Sequence, residues 1–152
     1  MSVIIAPESP DTADARELVA ELEAELAPQY PDESRHGYSV EKLISEGVAF
    51  FLVREDGMPA GCGGVQIVRG AYGELKRMYV RPRFRGSGLA KLILERLSDH
   101  ARRHGIRVLR LETGIHQRAA IGFYESMGFS RIPPFGPYRD DPLSRFYEKQ
   151  LS

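Results

Sequence analysis

The chain has one cysteine, no tryptophan and no excess of charge: 21 Lys and Arg stand against 21 Asp and Glu in 152 residues. The lone cysteine, Cys62, has no partner for an internal disulfide, which suits a reducing compartment. Balanced charge supplies no global field toward nucleic acid or a membrane surface, and argues against a dedicated nucleic-acid binder. No apolar run approaches membrane-spanning length. The start, Met-Ser-Val-Ile-Ile-Ala-Pro, lacks the basic region and long apolar stretch of a secretory signal. No repeat, low-complexity tract or linker divides the sequence. The expectation is one cytoplasmic domain over residues 1–152, large enough for a real core. His36, His100, His104 and His116 show no metal-ligand spacing, so no metal is expected.

What is present is concentrated in residues 81–90, Arg-Pro-Arg-Phe-Arg-Gly-Ser-Gly-Leu-Ala. A β-branched and aromatic run ends just upstream at Met78-Tyr79-Val80. Leu89, Leu92, Ile93, Leu97 and Ala101 recur downstream at helical spacing. The order is strand, glycine-rich turn, helix, which points free backbone N–H groups and the positive end of a helix dipole at one spot. Gly86 and Gly88 let an anion approach the main chain closely. Arg81, Arg83 and Arg85 add positive charge. A pyrophosphate fits this pattern. It is not held by a Walker loop, since Gly-x-x-x-x-Gly-Lys-Ser/Thr is absent. Nor is it held by a dinucleotide fingerprint, because Lys91 stands where the third glycine belongs.

The rest of the chain reads as alternating elements. Val3-Ile4-Ile5 predicts a first strand. Ala15, Leu18, Val19, Leu22 and Leu26 form one stripe of a helix over 11–27, capped by Asp11 or Thr12 and ended by Pro28 and Pro31. Val40, Leu43 and Ile44 suggest a short second helix. Residues 48–53 and 60–68 predict antiparallel strands, followed by a strand over 73–80. The helix after the glycine turn should end near His104, with Gly105 as a left-handed stop. A strand over 106–111, a helix over 116–127 stopped by Gly128, and a strand over 144–151 follow. This is a mixed α/β domain, with antiparallel hairpins first and then a strand-helix-strand unit that implies a parallel pair.

The turn matches Arg/Gln-x-x-Gly-x-Gly/Ala as Arg83-Phe84-Arg85-Gly86-Ser87-Gly88. It resembles the acetyl-CoA loop of the GCN5-related N-acetyltransferase (GNAT) family. Glu74-Leu75-Lys76-Arg77-Met78-Tyr79-Val80 is similar to that family's fourth strand. Gln117-Arg-Ala-Ala-Ile-Gly-Phe-Tyr-Glu-Ser-Met-Gly-Phe129 is similar to its Asn-x-x-Ala-x-x-Leu-Tyr-Glu-Lys-Leu-Gly-Phe helix. The match is strong from about residue 47 onward and weak before it. The resemblance implies a mixed, mostly antiparallel sheet whose parallel fourth and fifth strands splay apart to admit the pantetheine arm. It implies acetyl-CoA as co-substrate, a primary amine of a small molecule or protein as acceptor, and direct transfer in a ternary complex. It leaves a homodimer open.

Such a transfer needs a base for the amine, a hydrogen-bond donor for the thioester oxygen and an acid for the departing thiolate. Holding two substrates together supplies effective molarities of about 10⁵–10⁸ M, so positioning outweighs any single side chain. By resemblance, Tyr124 is the acid candidate; its place on an apolar stripe with Ala120 and Met127 equally suits a core residue. Glu74 is the base candidate, in competition with Glu112 and with a water chain. Period-two alternation puts Glu74, Lys76, Met78 and Val80 on one face and Leu75, Arg77 and Tyr79 on the other.

Backbone groups of Met78, Tyr79 and Val80 are expected to serve the thioester and the pantetheine amides, as an added strand would. Arg83 belongs to the matched motif. The N–H groups of Arg85, Gly86, Ser87, Gly88, Leu89 and Ala90 are expected at the pyrophosphate. The Ser87 hydroxyl either joins them or caps the helix. Gln117 replaces the family's Asn. Residues 28–38 and 133–142, with acids and aromatics interspersed, are where the acceptor should be chosen. The alternative to an enzyme is a non-catalytic acetyl-CoA sensor, which the Gln117 departure slightly favours.

Overall fold

Thr12 accepts from the Ala15 N–H through its hydroxyl, and Ser39 does the same for Lys42. These caps begin α1 (Ala13–Leu26) and α2 (Val40–Ser45) and satisfy amides that a helix start leaves without partners. The computed structural model describes residues 2–152. Its other helices are α3 (Leu89–Arg103) and α4 (Arg118–Ser126), and its strands are β1 (Val3–Pro7), β2 (Ala49–Glu55), β3 (Met58–Val68), β4 (Tyr72–Val80), β5 (Val108–Gly114), β6 (Ser130–Ile132) and β7 (Ser144–Gln150). Gly105 and Gly128 sit at positive φ after α3 and α4, the left-handed stops that the sequence indicates.

The seven strands form one sheet in the order β1-β2-β3-β4-β5-β7-β6. Every neighbouring pair is antiparallel except β4 and β5. Helices α1 and α2 cover one face through Ala15, Leu18, Leu22, Val40 and Leu43 against Phe50, Leu52, Cys62 and Tyr79. Helices α3 and α4 cover the other through Ile93, Leu97, Ile121 and Tyr124 against Val53, Val65, Leu75, Leu109 and Leu111. Among the described residues no helix is long and apolar enough to cross a membrane.

Two expectations need correction. The fifth strand runs Val108–Gly114 rather than 106–111, because Ile106 closes the turn after α3 through its N–H to Ala101 O. Strict alternation along β4 also fails. Gly64 faces Lys76 while Cys62 faces Tyr79, so two steps on β3 oppose three on β4. Arg77 is the extra residue, with φ +53°. This β-bulge reverses the facing of everything after it. Leu75, Met78 and Val80 pack toward α3 and α4, whereas Tyr79 packs toward α1.

Candidate active site

β4 and β5 pair only at Gly73–Leu109 and Glu74–Arg110. Beyond those rungs they diverge, and the wedge between them opens toward the C-terminal end of both strands. The bulge at Arg77 lies on one edge of this wedge, and Glu112 and Thr113 lie on the other.

On the α3 side the wedge continues into a groove of about 660 Å³, lined among others by Met78, Tyr79, Val80, Arg85, Gly86, Gly88, Leu89, Ala90, Gln117 and Tyr124. Gly86 and Gly88 have φ of +86° and +87°, and a Cβ built on either meets nothing within 4 Å. The cradle there is open to a ligand. The amides of Gly86, Ser87 and Gly88 have no partner among the described residues, and α3 begins directly behind them. Unpaired N–H groups at a helix start form an anion nest. The diphosphate of acetyl-CoA fits it on both counts.

The basic residues of this segment divide their roles. Arg85 lines the groove, its Nε donating to Val80 O at 2.8 Å. Arg81 is committed to Glu17 and Glu21 of α1 at 2.6 and 2.7 Å and adds no free charge. Arg83 is exposed, stacks over Phe84 and does not line the groove. The Ser87 side chain does not cap α3. Its hydroxyl donates to Phe84 O at 3.0 Å, and Gly88 is the N-cap. Gln117 accepts from the Tyr30 hydroxyl at 3.2 Å, and Tyr30 in turn accepts from the His116 N–H. A longer amide at this position is thereby anchored to the segment that follows α1.

On the α1 side lies a smaller cavity of about 140 Å³, whose polar lining includes Glu74, Lys76, Glu112 and Tyr138. Glu74 and Lys76 are both buried, with Lys76 Nζ donating to Glu74 Oε2 at 2.8 Å. Tyr138, from the loop after β6, donates to the same Oε2 and accepts from Lys76 at 3.1 Å. Glu74 Oε1 receives no bond from the described residues. Lys76 Nζ also stands 3.9 Å from the centre of the Tyr38 ring, a cation–π contact.

Burial pulls the Lys76 ammonium below its ordinary value, and Glu74 partly offsets this. Burial pushes the Tyr138 phenol up, with Glu74 adding to the rise. Burial also raises the Glu112 carboxyl, against the bond from Ser144 Oγ at 2.7 Å. Tyr38 and Tyr138 fall in the two segments, 28–38 and 133–142, where the sequence puts the choice of acceptor, but their contacts with Lys76 and Glu74 are not visible there. The signal that existed was Lys76 two residues after Glu74, which a strand places on the same face.

Tyr124 is where the two spaces meet. With Met78, Gln117 and Ala120 it lines both the groove and the cavity. Its ring is buried against Phe123 and Phe129, and burial raises its phenol well above the usual value. The hydroxyl has no protein partner among the described residues. Tyr124 is thus a buried residue that borders both spaces.

The Acetyltransferase (GNAT) family model matches residues 15–129. The chain belongs to the GNAT acetyltransferase family. It is 42% identical over 151 residues to an IAA acetyltransferase of Azospirillum brasilense, covering 99% of each chain. The uncharacterized N-acetyltransferase YedL of Escherichia coli is 37% identical over 136 residues, 88% of this chain and 86% of YedL. A Klebsiella pneumoniae structure, solved as a candidate acyl-CoA N-acyltransferase, superposes with a TM-score of 0.83 at 34% identity, covering 99% of this chain and 98% of that one. The PaiA N-acetyltransferase of Thermoplasma acidophilum, solved with coenzyme A, shares the fold, with a TM-score of 0.80 at 23% identity and coverage of 99% and 100%. As a GNAT member the chain is an acetyl-CoA-dependent N-acetyltransferase, and the fold expected from its glycine turn is the one observed. Among the described residues no cluster of His, Cys, Asp and Glu is arranged to hold a metal ion.

Proposed function

We propose that this acetyltransferase moves the acetyl group directly to a primary amine, with Glu74 as base and Tyr124 as acid. Bound acetyl-CoA supplies an acyl group already activated as a thioester. Arg85 through Ala90 hold its diphosphate, and the backbone of Met78, Tyr79 and Val80 holds its pantetheine arm where β4 leaves β5. The acceptor enters under Tyr38 and Tyr138. Glu74 Oε1, free of bonds from the described residues, takes the amine proton. Tyr124, kept protonated by burial, gives its hydroxyl proton to the sulfur. Cys62 takes no part, since burial pushes its thiol up to about 12 and it touches neither space. Its buried, unpaired thiol supports the cytoplasm as the compartment.

One observation carries this reading: Tyr124 and Met78 border the donor groove and the Glu74 cavity at once. Ternary-complex transfer requires such a shared wall. The test is free-thiol release from acetyl-CoA against a panel of amino acids, polyamines, arylalkylamines and lysine peptides, with acetylated product confirmed by mass. Thiol release coupled to product is expected for at least one class. Tight acetyl-CoA binding without any acetylated amine would instead favour a sensor.

A further inference from the structure

Arg77 ties the β4 bulge to the segment between α1 and α2 that borders the Glu74 cavity. Its side chain is only 5% exposed. Nε donates to the carbonyl of Tyr38 at 2.8 Å, and Nη2 donates to Glu23 Oε2 of α1 at 3.0 Å. The other oxygen of Glu23 holds Arg35 Nη1 at 3.2 Å, so one carboxylate fastens both ends of the segment Arg35–Tyr38. Between those ends Gly37 lies flat on the guanidinium, and a Cβ there would collide with Arg77 Cζ and Nη1. Gly37 is not in the left-handed region, so the close approach alone requires glycine there. The segment carries His36, which borders the Glu74 cavity, and Tyr38, whose ring lies over Lys76. On its other side Arg77 is the bulged residue next to Met78, at a φ of +53° that is strained for a non-glycine residue.

We propose that Arg77 is a positioning residue that clamps Arg35–Tyr38 to the β4 bulge, setting acceptor affinity by holding the cavity wall in register with the donor groove. The inference rests on the acetyl-transfer reading above. Arg77→Asn tests it, because Asn tolerates left-handed backbone and keeps the bulge while removing the guanidinium. Amide hydrogen exchange at residues 36–38 should rise in Arg77→Asn, with acetyl-CoA affinity by calorimetry near wild type. For the amine with the highest wild-type kcat/KM in the panel, KM should rise about ten- to a hundredfold, as loss of charge-assisted bonds implies, with kcat little changed.

Gly37→Ala should reproduce the defect in the wild-type background, because the guanidinium can yield only by leaving Tyr38 O and Glu23. In the Arg77→Asn background Gly37→Ala should add nothing, so the cycle is non-additive. Unchanged exchange in Arg77→Asn, raised exchange with an unchanged acceptor KM, or simple additivity would each overturn the clamp. Failure of the wild-type chain to acetylate any amine of the panel would count against the transfer reading, while the exchange comparison decides the clamp by itself.

Discussion

The hydroxyl of Tyr138 donates to Glu74 Oε2 across 64 residues of sequence, and the same carboxylate oxygen receives the Lys76 ammonium. This joins the loop between β6 and β7 to the middle of β4. Tyr138 also packs edge-on against Phe135 and His36, so the bond closes one wall of the Glu74 cavity. A buried acceptor deprived of a donor costs about 1–3 kcal/mol, so the bond is expected to matter for stability as well as for shape.

Tyr138→Phe keeps the ring packing and removes that donor. Stability to urea should fall by about 1–3 kcal/mol, and kcat/KM should drop as Glu74 loses its fixed orientation. Wild-type stability in the variant would show that Lys76 alone suffices to hold the carboxylate.

Tyr124→Phe should behave in the opposite way. The Tyr124 hydroxyl has no protein partner, so its loss breaks no internal bond and the melting temperature should hold or rise slightly. Loss of an acid depresses kcat by about ten- to a thousandfold, within or just below the usual acid–base range. A variant with wild-type kcat and lowered melting temperature would make Tyr124 core alone.

How far the sequence speaks differs by element. Thr12, Gly105 and Gly128 mark helix ends by local chemistry, and the structure keeps each of them. The glycine turn and the order of elements around it are equally local. The bulge at Arg77 is not, because it arises from register against β3 and from packing. A Cβ on Gly63 would press within 2.7 Å of Met78 Sδ and Ile93. No periodicity in β4 alone reveals this. Arg81 reads as free charge beside a phosphate turn until α1 folds over it and supplies Glu17 and Glu21. β6, three residues reading Ser-Arg-Ile, is too short and polar to be seen without β7 beside it. The partners of Glu74 follow the same rule: Lys76 is near in sequence and legible, whereas Tyr138 is brought in by the fold.

Gly88→Glu should abolish acetyl-CoA binding by calorimetry, since it sets a carboxylate where phosphate oxygens belong. The φ of +87° at Gly88 adds backbone strain to any such variant. Gly47→Glu is the matched control, because Gly47 has φ +65° and open space but lies outside the groove. Loss of binding in the first variant and not in the second supports the nest. Unchanged affinity in a folded Gly88→Glu variant would remove residues 85–90 from the cofactor site.

Glu112→Gln addresses the raised carboxyl on β5. Burial lifts its folded value above the unfolded one, so the native state binds the proton more tightly and its stability falls as pH rises between the two. Below the ordinary carboxylate range both forms are neutral and the carboxyl is no burden. The Gln variant, which still accepts from Ser144, should therefore gain stability over wild type as pH climbs through that window and show no gain at the acid end. Equal stability curves for the two proteins would mean that Lys76 and His36 compensate the charge fully.

The assignment of the base separates Glu74 from Glu112 most directly. Both border the same cavity, but only Glu74 stands on β4 at the point where the wedge begins to open. An ammonium acceptor must lose a proton before it attacks, so loss of the base should depress the rate most near neutral pH. Raising the pH supplies neutral amine from bulk solvent and should partly rescue such a variant. Glu74→Gln is thus expected to show a kcat/KM that keeps climbing with pH beyond the wild-type plateau, while Glu112→Gln keeps the wild-type profile. The reverse pattern would move the role to Glu112. Two wild-type profiles would place deprotonation on a chain of water instead, leaving Glu74 as the group that fixes Lys76 and Tyr138 around the acceptor.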